Sequence, residues 1–411
     1  MGVPYCMFKN GFLGDLALWL VEQSREPHTL PELFEGFCGE LARDLPGLRV
    51  VLGLETLHPE LSGFMLRWQP GALEKVTSQR AGILNNQNYL RSPTRIVDET
   101  GQPFRWRAGE DTRGMPRLEE CVADGVTDYL MLPLPFQDNT RTAVMAYTTT
   151  AAAGFSDDDV VDLDRVTRLF SPWAERAVLR RIATGLLEAY LGPEAGRRVY
   201  DGQIERGDLR TIRAAIWFCD LRGFTALSDR LPRTKLIKVL NHWFEGIGTA
   251  IGEGGGEILK FMGDGLLAVF PVDGDATAVC DRALAAADVA LAETELLAQK
   301  LVSLGEEPLR CGLALHLGDV EFGNIGTSLR LDFTVIGPAV NMASRLEGLT
   351  KELGRSLLAS ASFAAATSAR LESLGEHRLR GIAAPVEVYG LPAWSDARPA
   401  LVAGSGRSVA R

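Results

Sequence analysis

Two aspartates in separate apolar stretches are the residues best suited to chemistry. Asp220 sits in Ile216-Trp-Phe-Cys-Asp220-Leu-Arg-Gly223-Phe-Thr225, where an apolar run ends in a carboxylate, a glycine and a helix start. Asp264 sits in Lys260-Phe-Met-Gly-Asp264-Gly, a second apolar run entering a tight turn. Hard divalent cations take carboxylate oxygens, and Mg²⁺ usually adds substrate phosphates to one or two of them. Two such ions ~3.5–4 Å apart activate an attacking oxygen and neutralise a leaving one. The amides around Gly223, Phe224 and Thr225 at a helix start would cradle phosphate. Taken singly, an Asp in Gly-Asp-Gly is an ordinary hairpin residue and Gly223 an ordinary cap. The pair together points to a two-metal nucleotide site.

Lys260 lies four residues before Asp264 on an apolar stretch. In an unbroken strand both would share a face ~13 Å apart, near the reach of a nucleotide from base to phosphates. A lysine only donates, so it suits N1 of adenine and not N1–H of guanine. An edge-strand lysine reaching solvent is the alternative. Thr334 ends a later strand, and its hydroxyl would accept from an exocyclic amine. Pro338 opens a helix that places Asn341 and Arg345 at i and i+4 on one face. Asn suits a ribose, and Arg suits the charge that grows on a phosphate. A solvent-facing Asn/Arg pair is the default for an isolated match.

Phe218-Cys-Asp220-Leu-Arg-Gly223-Phe-Thr225, Glu257-Ile-Leu-Lys260-Phe-Met-Gly-Asp264 and Gly337-Pro-Ala-Val-Asn341-Met-Ala-Ser-Arg345 resemble the three signature blocks of class III nucleotidyl cyclases, in the family's order. The resemblance covers roughly residues 205–392. It implies an adenylate cyclase making 3′,5′-cyclic AMP and pyrophosphate from ATP. It also implies two Mg²⁺ or Mn²⁺ ions per site on Asp220 and Asp264, base selection by Lys260 and Thr334, ribose binding by Asn341 and transition-state stabilisation by Arg345. Guanylate cyclases of the family carry Glu and Cys at the two base-selecting positions, and many adenylate cyclases carry Asp where Thr334 stands. Arg380 falls where a phosphate-contacting lysine often lies. The family forms its site between two head-to-tail copies, so a homodimer with two equivalent sites is expected. A guanylate or mixed-specificity cyclase and a catalytically silent nucleotide-sensing module are the competing readings.

These residues must be positioned by a chain of 411 residues, enough for two or three domains. Residues 1–155 resemble a GAF-type sensory domain. Helices are expected at Leu13–Val21 and Leu30–Leu41, and strands at 49–54, 64–68, 129–134 and 142–148, around a polar segment at 70–116. A small-molecule or protein signal would act there. Residues 156–211 read as a helical stalk and connector: Ser156 caps a helix whose first turn is Asp157, Asp158 and Asp159. Leu163, Val166, Phe170, Trp173 and Ala177, then Leu179, Ile182, Leu186 and Ala189, form a stripe that fits either a parallel dimer seam or a helix packed on its own domain. Residues 212–392 read as the catalytic domain, α+β, with a ferredoxin-like or palm-type βααββαβ order. Residues 393–411 read as a disordered tail.

Composition is that of an ordinary globular protein, 46% hydrophobic and 23% charged. A net charge of −10 argues against nucleic-acid and anionic-membrane partners. Six scattered cysteines without a Cys-x-x-Cys pair fit reduced thiols in the cytoplasm. No apolar run reaches ~18 residues, so no membrane span is expected. Asp15 and Glu22 come early, so no signal peptide is expected.

Overall fold

The computed structural model describes residues 12–23, 25, 28–55, 61–79, 87–137 and 143–392. The tail expected to be disordered lies outside them, as does Cys6. The chain divides into two compact units, one ending at Ala189 and one beginning at Tyr190.

The first unit contains α1 (Phe12–Gln23), α2 (Leu30–Ala42), β1 (Arg49–Glu55), β2 (Leu61–Gln69), β3 (Ala72–Gln79), α3 (Gln87–Leu90), α4 (Pro93–Thr100), β4 (Phe104–Arg107), α5 (Pro116–Ala123), β5 (Asp128–Pro133), β6 (Ala143–Thr149) and most of α6 (Asp157–Leu191). Its six strands pair antiparallel in the order β3-β2-β1-β6-β5-β4. β6 is buried along its whole length because apolar layers cover both faces of the sheet. α2 begins with a capping box in which the Thr29 amide donates to Glu32. Ser156 opens α6 in the same way, exchanging backbone hydrogen bonds with Asp159. Leu163, Val166, Phe170, Ala174, Val178 and Ile182 are buried in the core of this unit, with Phe170 4.5 Å from Phe37. Of the two placements open to the α6 stripe, the packed one is adopted over 163–182. The buried line runs through Ala174 and Val178 in place of Ala177 and Leu179, and Leu179 is 44% exposed. The segment 70–116, read in the sequence only as polar, holds β3, α3, α4 and β4. Their short elements and polar outer faces leave little periodic signal.

The second unit contains α7 (Pro193–Tyr200), β7 (Leu209–Arg222), α8 (Phe224–Arg230), α9 (Arg233–Glu253), β8 (Glu257–Met262), β9 (Gly265–Pro271), α10 (Ala276–Ser303), β10 (Arg310–Gly326), β11 (Leu331–Ile336), α11 (Pro338–Glu352), β12 (Leu357–Ser360), α12 (Ala361–Ala364), β13 (Glu372–His377) and β14 (Val386–Gly390). From β7 to β10 the order is βααββαβ, as expected. The strands lie as β13-β14-β12-β10-β7-β9-β8, with β11 pairing β10. The expected connector at 193–211 holds α7 and the start of β7. Glu257 accepts from the Glu194 and Ala195 amides at 2.9 and 3.4 Å, which satisfies the α7 start.

β7 occupies the centre of this sheet and alternates between two cores. Ala215, Trp217, Cys219 and Leu221 join the layer containing α9 and α10, and Ala214 and Ile216 join the opposite one. Trp217 stacks on Phe270 with centroids 5.9 Å apart. Trp243 of α9 donates to Thr294 of α10 at 3.0 Å. The end of β7 that carries Asp220 is therefore held by a packed core on both sides. The five described cysteines are free and buried. No helix of the described residues is long and apolar enough to cross a membrane.

Candidate active site

The β8–β9 hairpin brings the two aspartates together. Met262 pairs with Gly265, which leaves Gly263 and Asp264 as a two-residue loop. Gly263 takes φ 70° at the first loop position, where a glycine relieves the steric cost. β9 then pairs with β7 so that Gly265 faces Asp220. The Leu221 amide donates to the Asp264 carbonyl at 3.2 Å. A Cβ at Gly265 would lie 2.7 Å from Asp220 Oδ1 and 2.7 Å from the Cys219 carbonyl, so the Asp220 carboxylate folds over the glycine. Burial, and next the negative charge of Asp264, push the Asp220 carboxyl above its ordinary range; the Leu221 amide and Arg222 act in the opposite direction.

Two partly buried carboxylates that repel each other fit a divalent cation. Among the described residues no group of three or more His, Cys, Asp or Glu is arranged to hold a metal. A cation on Asp220 and Asp264 would therefore draw its remaining ligands from substrate and water, the usual habit of Mg²⁺. Next to them Gly223, at φ 85°, starts α8 without any side-chain cap. The first amides of α8, at Phe224 and Thr225, are thus left for another acceptor.

Lys260 and Asp264 do not share one strand face. β8 ends at Met262 and has a register shift between Ile258 and Lys260, so the chain reverses before Asp264. The ~13 Å spacing expected from an unbroken strand is replaced by a hairpin bend. Lys260 is ion-paired with Asp332 of β11. Thr334 lies on β11 opposite Gly323 and is buried at 9% exposure. Asn341 and Arg345 are both exposed on α11, one turn apart. Arg380 is exposed in the β13–β14 connection, at the sheet edge opposite β8. It lies beyond β13, which stops at His377.

Residues 210–391 match the adenylate and guanylate cyclase catalytic domain family. A curated adenylate cyclase of Anabaena cylindrica is 36% identical over 155 residues, 38% of this chain and 31% of the relative. These residues are a class III nucleotidyl cyclase domain. Among solved structures, the adenylyl cyclase CyaB from P. aeruginosa aligns at 26% identity and TM-score 0.41, covering 44% of this chain and 94% of that one. The guanylyl cyclase Cya2 aligns at 29% identity and TM-score 0.40, covering 46% and 96%. The chain spans about a third of the length of the curated relatives it matches.

Three polar residues of the cyclase domain that the sequence did not single out interact with residues that it did. Glu347 of α11 is pushed up to about 7 by burial and then by the charges of Asp220 and Asp264, with Arg222 and Thr350 opposing. Arg222 donates to the Thr350 hydroxyl and, at 3.0 Å, to the Arg355 carbonyl, tying the end of β7 to α11 and the residues after it. Its Nε is buried without a hydrogen-bond partner among the described residues. Asp332 completes the set through Lys260. Glu347 lies two residues after Arg345, and Asp332 two before Thr334. Each adjoins a motif residue in sequence, but only the tertiary contacts give it a partner.

Proposed function

We propose that this chain is an adenylate cyclase, converting ATP to 3′,5′-cyclic AMP and pyrophosphate at sites shared by two copies of its cyclase domain. The observation that carries the reading is the pairing of Asp220 with the Asp264 turn across β7 and β9. Asp220 and Asp264 hold the divalent cations, Mg²⁺ or Mn²⁺. Such ions supply Lewis-acid activation of the ribose 3′-hydroxyl and charge neutralisation on the triphosphate. The amides of Phe224 and Thr225 beyond Gly223 receive phosphate oxygens at a helix start.

Lys260 donates to adenine N1, and Thr334 flanks the base. Asn341 holds the ribose, so that its 3′-hydroxyl is in line with the α-phosphorus. Arg345 donates to phosphate oxygens as negative charge shifts toward the leaving pyrophosphate. Arg380 contributes a weaker phosphate contact. Metal-holding residues come from one copy and Lys260, Thr334, Asn341 and Arg345 from the other. Phe261, Met262 and Ile336 are exposed beside Lys260 and Thr334, at 54%, 36% and 44%, which supports a second copy covering them. The first unit is a GAF-like sensory domain that regulates this site in the cytoplasm.

The test is a competition assay. The purified full chain is given equal ATP and GTP with Mg²⁺ or Mn²⁺, and cyclic AMP and cyclic GMP are measured. Cyclic AMP is expected to dominate. A majority of cyclic GMP would replace the adenylate reading with the guanylate one, and absence of both products would favour a nucleotide-sensing module.

A further inference from the structure

The polar cluster around Arg222 has no part in the proposed chemistry, yet its bonds all lead to one helix. Arg222 ends β7, two residues beyond Asp220 and on the same strand face. It donates to the buried Thr350 of α11 and, at 3.0 Å, to the Arg355 carbonyl just after that helix. Thr350 in turn donates to the Glu347 carbonyl. The cluster lies over Gly312 of β10, which pairs with Asp220 in the sheet. A Cβ at Gly312 would fall 2.6 Å from Thr350 Oγ1, 2.7 Å from Glu347 Oε1 and 2.9 Å from Arg222 Nη2, so the glycine makes room for all three. The buried side of α11 is otherwise largely apolar, through Ala339, Ala343, Leu346 and Leu349. Apolar contact is non-directional and fixes the angle of a helix poorly. A guanidinium presents its donors in a rigid fork and fixes both angle and distance. α11 starts at Gly337 without a side-chain cap, which leaves Arg222 to hold its far end. Asn341 and Arg345 stand on the exposed side of the same helix.

We propose that Arg222 is a positioning residue of the cyclase reaction, and that it acts through α11 on Asn341 and Arg345 and not through its neighbour Asp220. This rests on the shared-site reading, under which Asp220 and the α11 of one chain serve different sites of the dimer. Loss of the guanidinium frees the end of α11 and takes from the buried Thr350 hydroxyl its donor. The helix then turns or slides on its apolar side. A displaced Arg345 no longer meets the charge that grows on the phosphates in the transition state. Turnover falls, while the affinity for the triphosphate changes less.

The test puts Arg222→Met, which keeps the apolar stem of the side chain, into one chain of a mixed dimer at a time. Full-length Asp220→Ala and Arg345→Ala chains with different affinity tags are co-refolded, and the mixed dimers are isolated through both tags. Their single intact site takes Asp220 from the Arg345→Ala chain and α11 from the Asp220→Ala chain. Cyclic nucleotide formation is measured at saturating triphosphate and Mg²⁺, beside thermal unfolding of each dimer. In the Asp220→Ala chain, Arg222→Met is expected to lower turnover by up to about a hundredfold. In the Arg345→Ala chain it is expected to keep turnover within about threefold. Thr350→Val removes the acceptor and keeps the shape; it is expected to give the same asymmetry at about tenfold, and decides the matter if Arg222→Met does not fold. A purely structural role would lower both mixed dimers alike, since each holds one substituted chain. Equal losses, the reverse asymmetry or no loss in either dimer would overturn the inference while the shared site stands. If the mixed dimer without Arg222→Met is itself inactive, the shared-site reading fails and takes the inference with it.

Discussion

Replacing Gly265 by alanine tests the geometry on which the two-aspartate site depends. The new Cβ would fall 2.7 Å from Asp220 Oδ1 and 2.7 Å from the Cys219 carbonyl. Both separations are roughly 0.7 Å or more short of ordinary van der Waals contact. The Cys219 carbonyl is fixed in a central strand, so the carboxylate must yield. Overpacking of this kind costs about 1–3 kcal/mol, or roughly 3–10 °C in Tm for a unit of this size. Displacement of a reacting group by a sizeable part of an ångström costs about a hundredfold in turnover. Gly263→Ala is the matched control. Its φ of 70° makes alanine strained, by about 1–2 kcal/mol, yet its added methyl would meet no atom within 4 Å. Thermal unfolding by circular dichroism and cyclic nucleotide formation at saturating triphosphate would be measured on both full-length variants. Gly265→Ala should lose activity far out of proportion to its stability, and Gly263→Ala should not. If folded Gly265→Ala turns over within about threefold of wild type, Asp220 is not held where the chemistry needs it.

Asp220→Ala and Arg345→Ala should each be inactive alone. Mixed and co-refolded one to one, they should recover about a quarter of wild-type activity per chain, since half of randomly formed dimers are mixed and hold one intact site of two. Activity no higher than that of either parent rules out the shared site. Lys260→Glu combined with Thr334→Cys should shift turnover toward GTP, read as the cyclic GMP to cyclic AMP ratio; an unchanged ratio contradicts the base-contact roles. Burial lowers His316 from its ordinary 6.5 to about 4, with Nδ1 2.8 Å from the Ser360 hydroxyl. The unfolded chain takes up the proton first, so this contribution to stability is complete above pH 6.5 and is lost as pH falls through 4. Between pH 7 and 5 the wild type should lose about 2 kcal/mol that His316→Gln does not, measured by urea unfolding. Equal losses in both proteins would contradict it.

Much of the catalytic half was legible in one dimension. The apolar run before Asp264 and the helix start at Pro338 located β8 and the beginning of α11, because those ends are set by local backbone chemistry at Gly263 and Pro338. The side-chain types at Asp220, Asp264, Lys260, Asn341 and Arg345 point to the chemistry that we propose. The sequence left open whether α6 packs inward or outward, since one apolar stripe serves either partner equally well. It also gave Lys260 a straight path to Asp264. Folding decided both. α6 buries its stripe in its own unit, and the hairpin turns Lys260 toward Asp332 while handing Asp264 to Asp220. Strand pairing joins residues far apart in the chain, and no local pattern encodes which ones. For that reason the interactions of Glu347, Arg222 and Asp332 with the motif residues became visible only once the sheet had brought their partners to them.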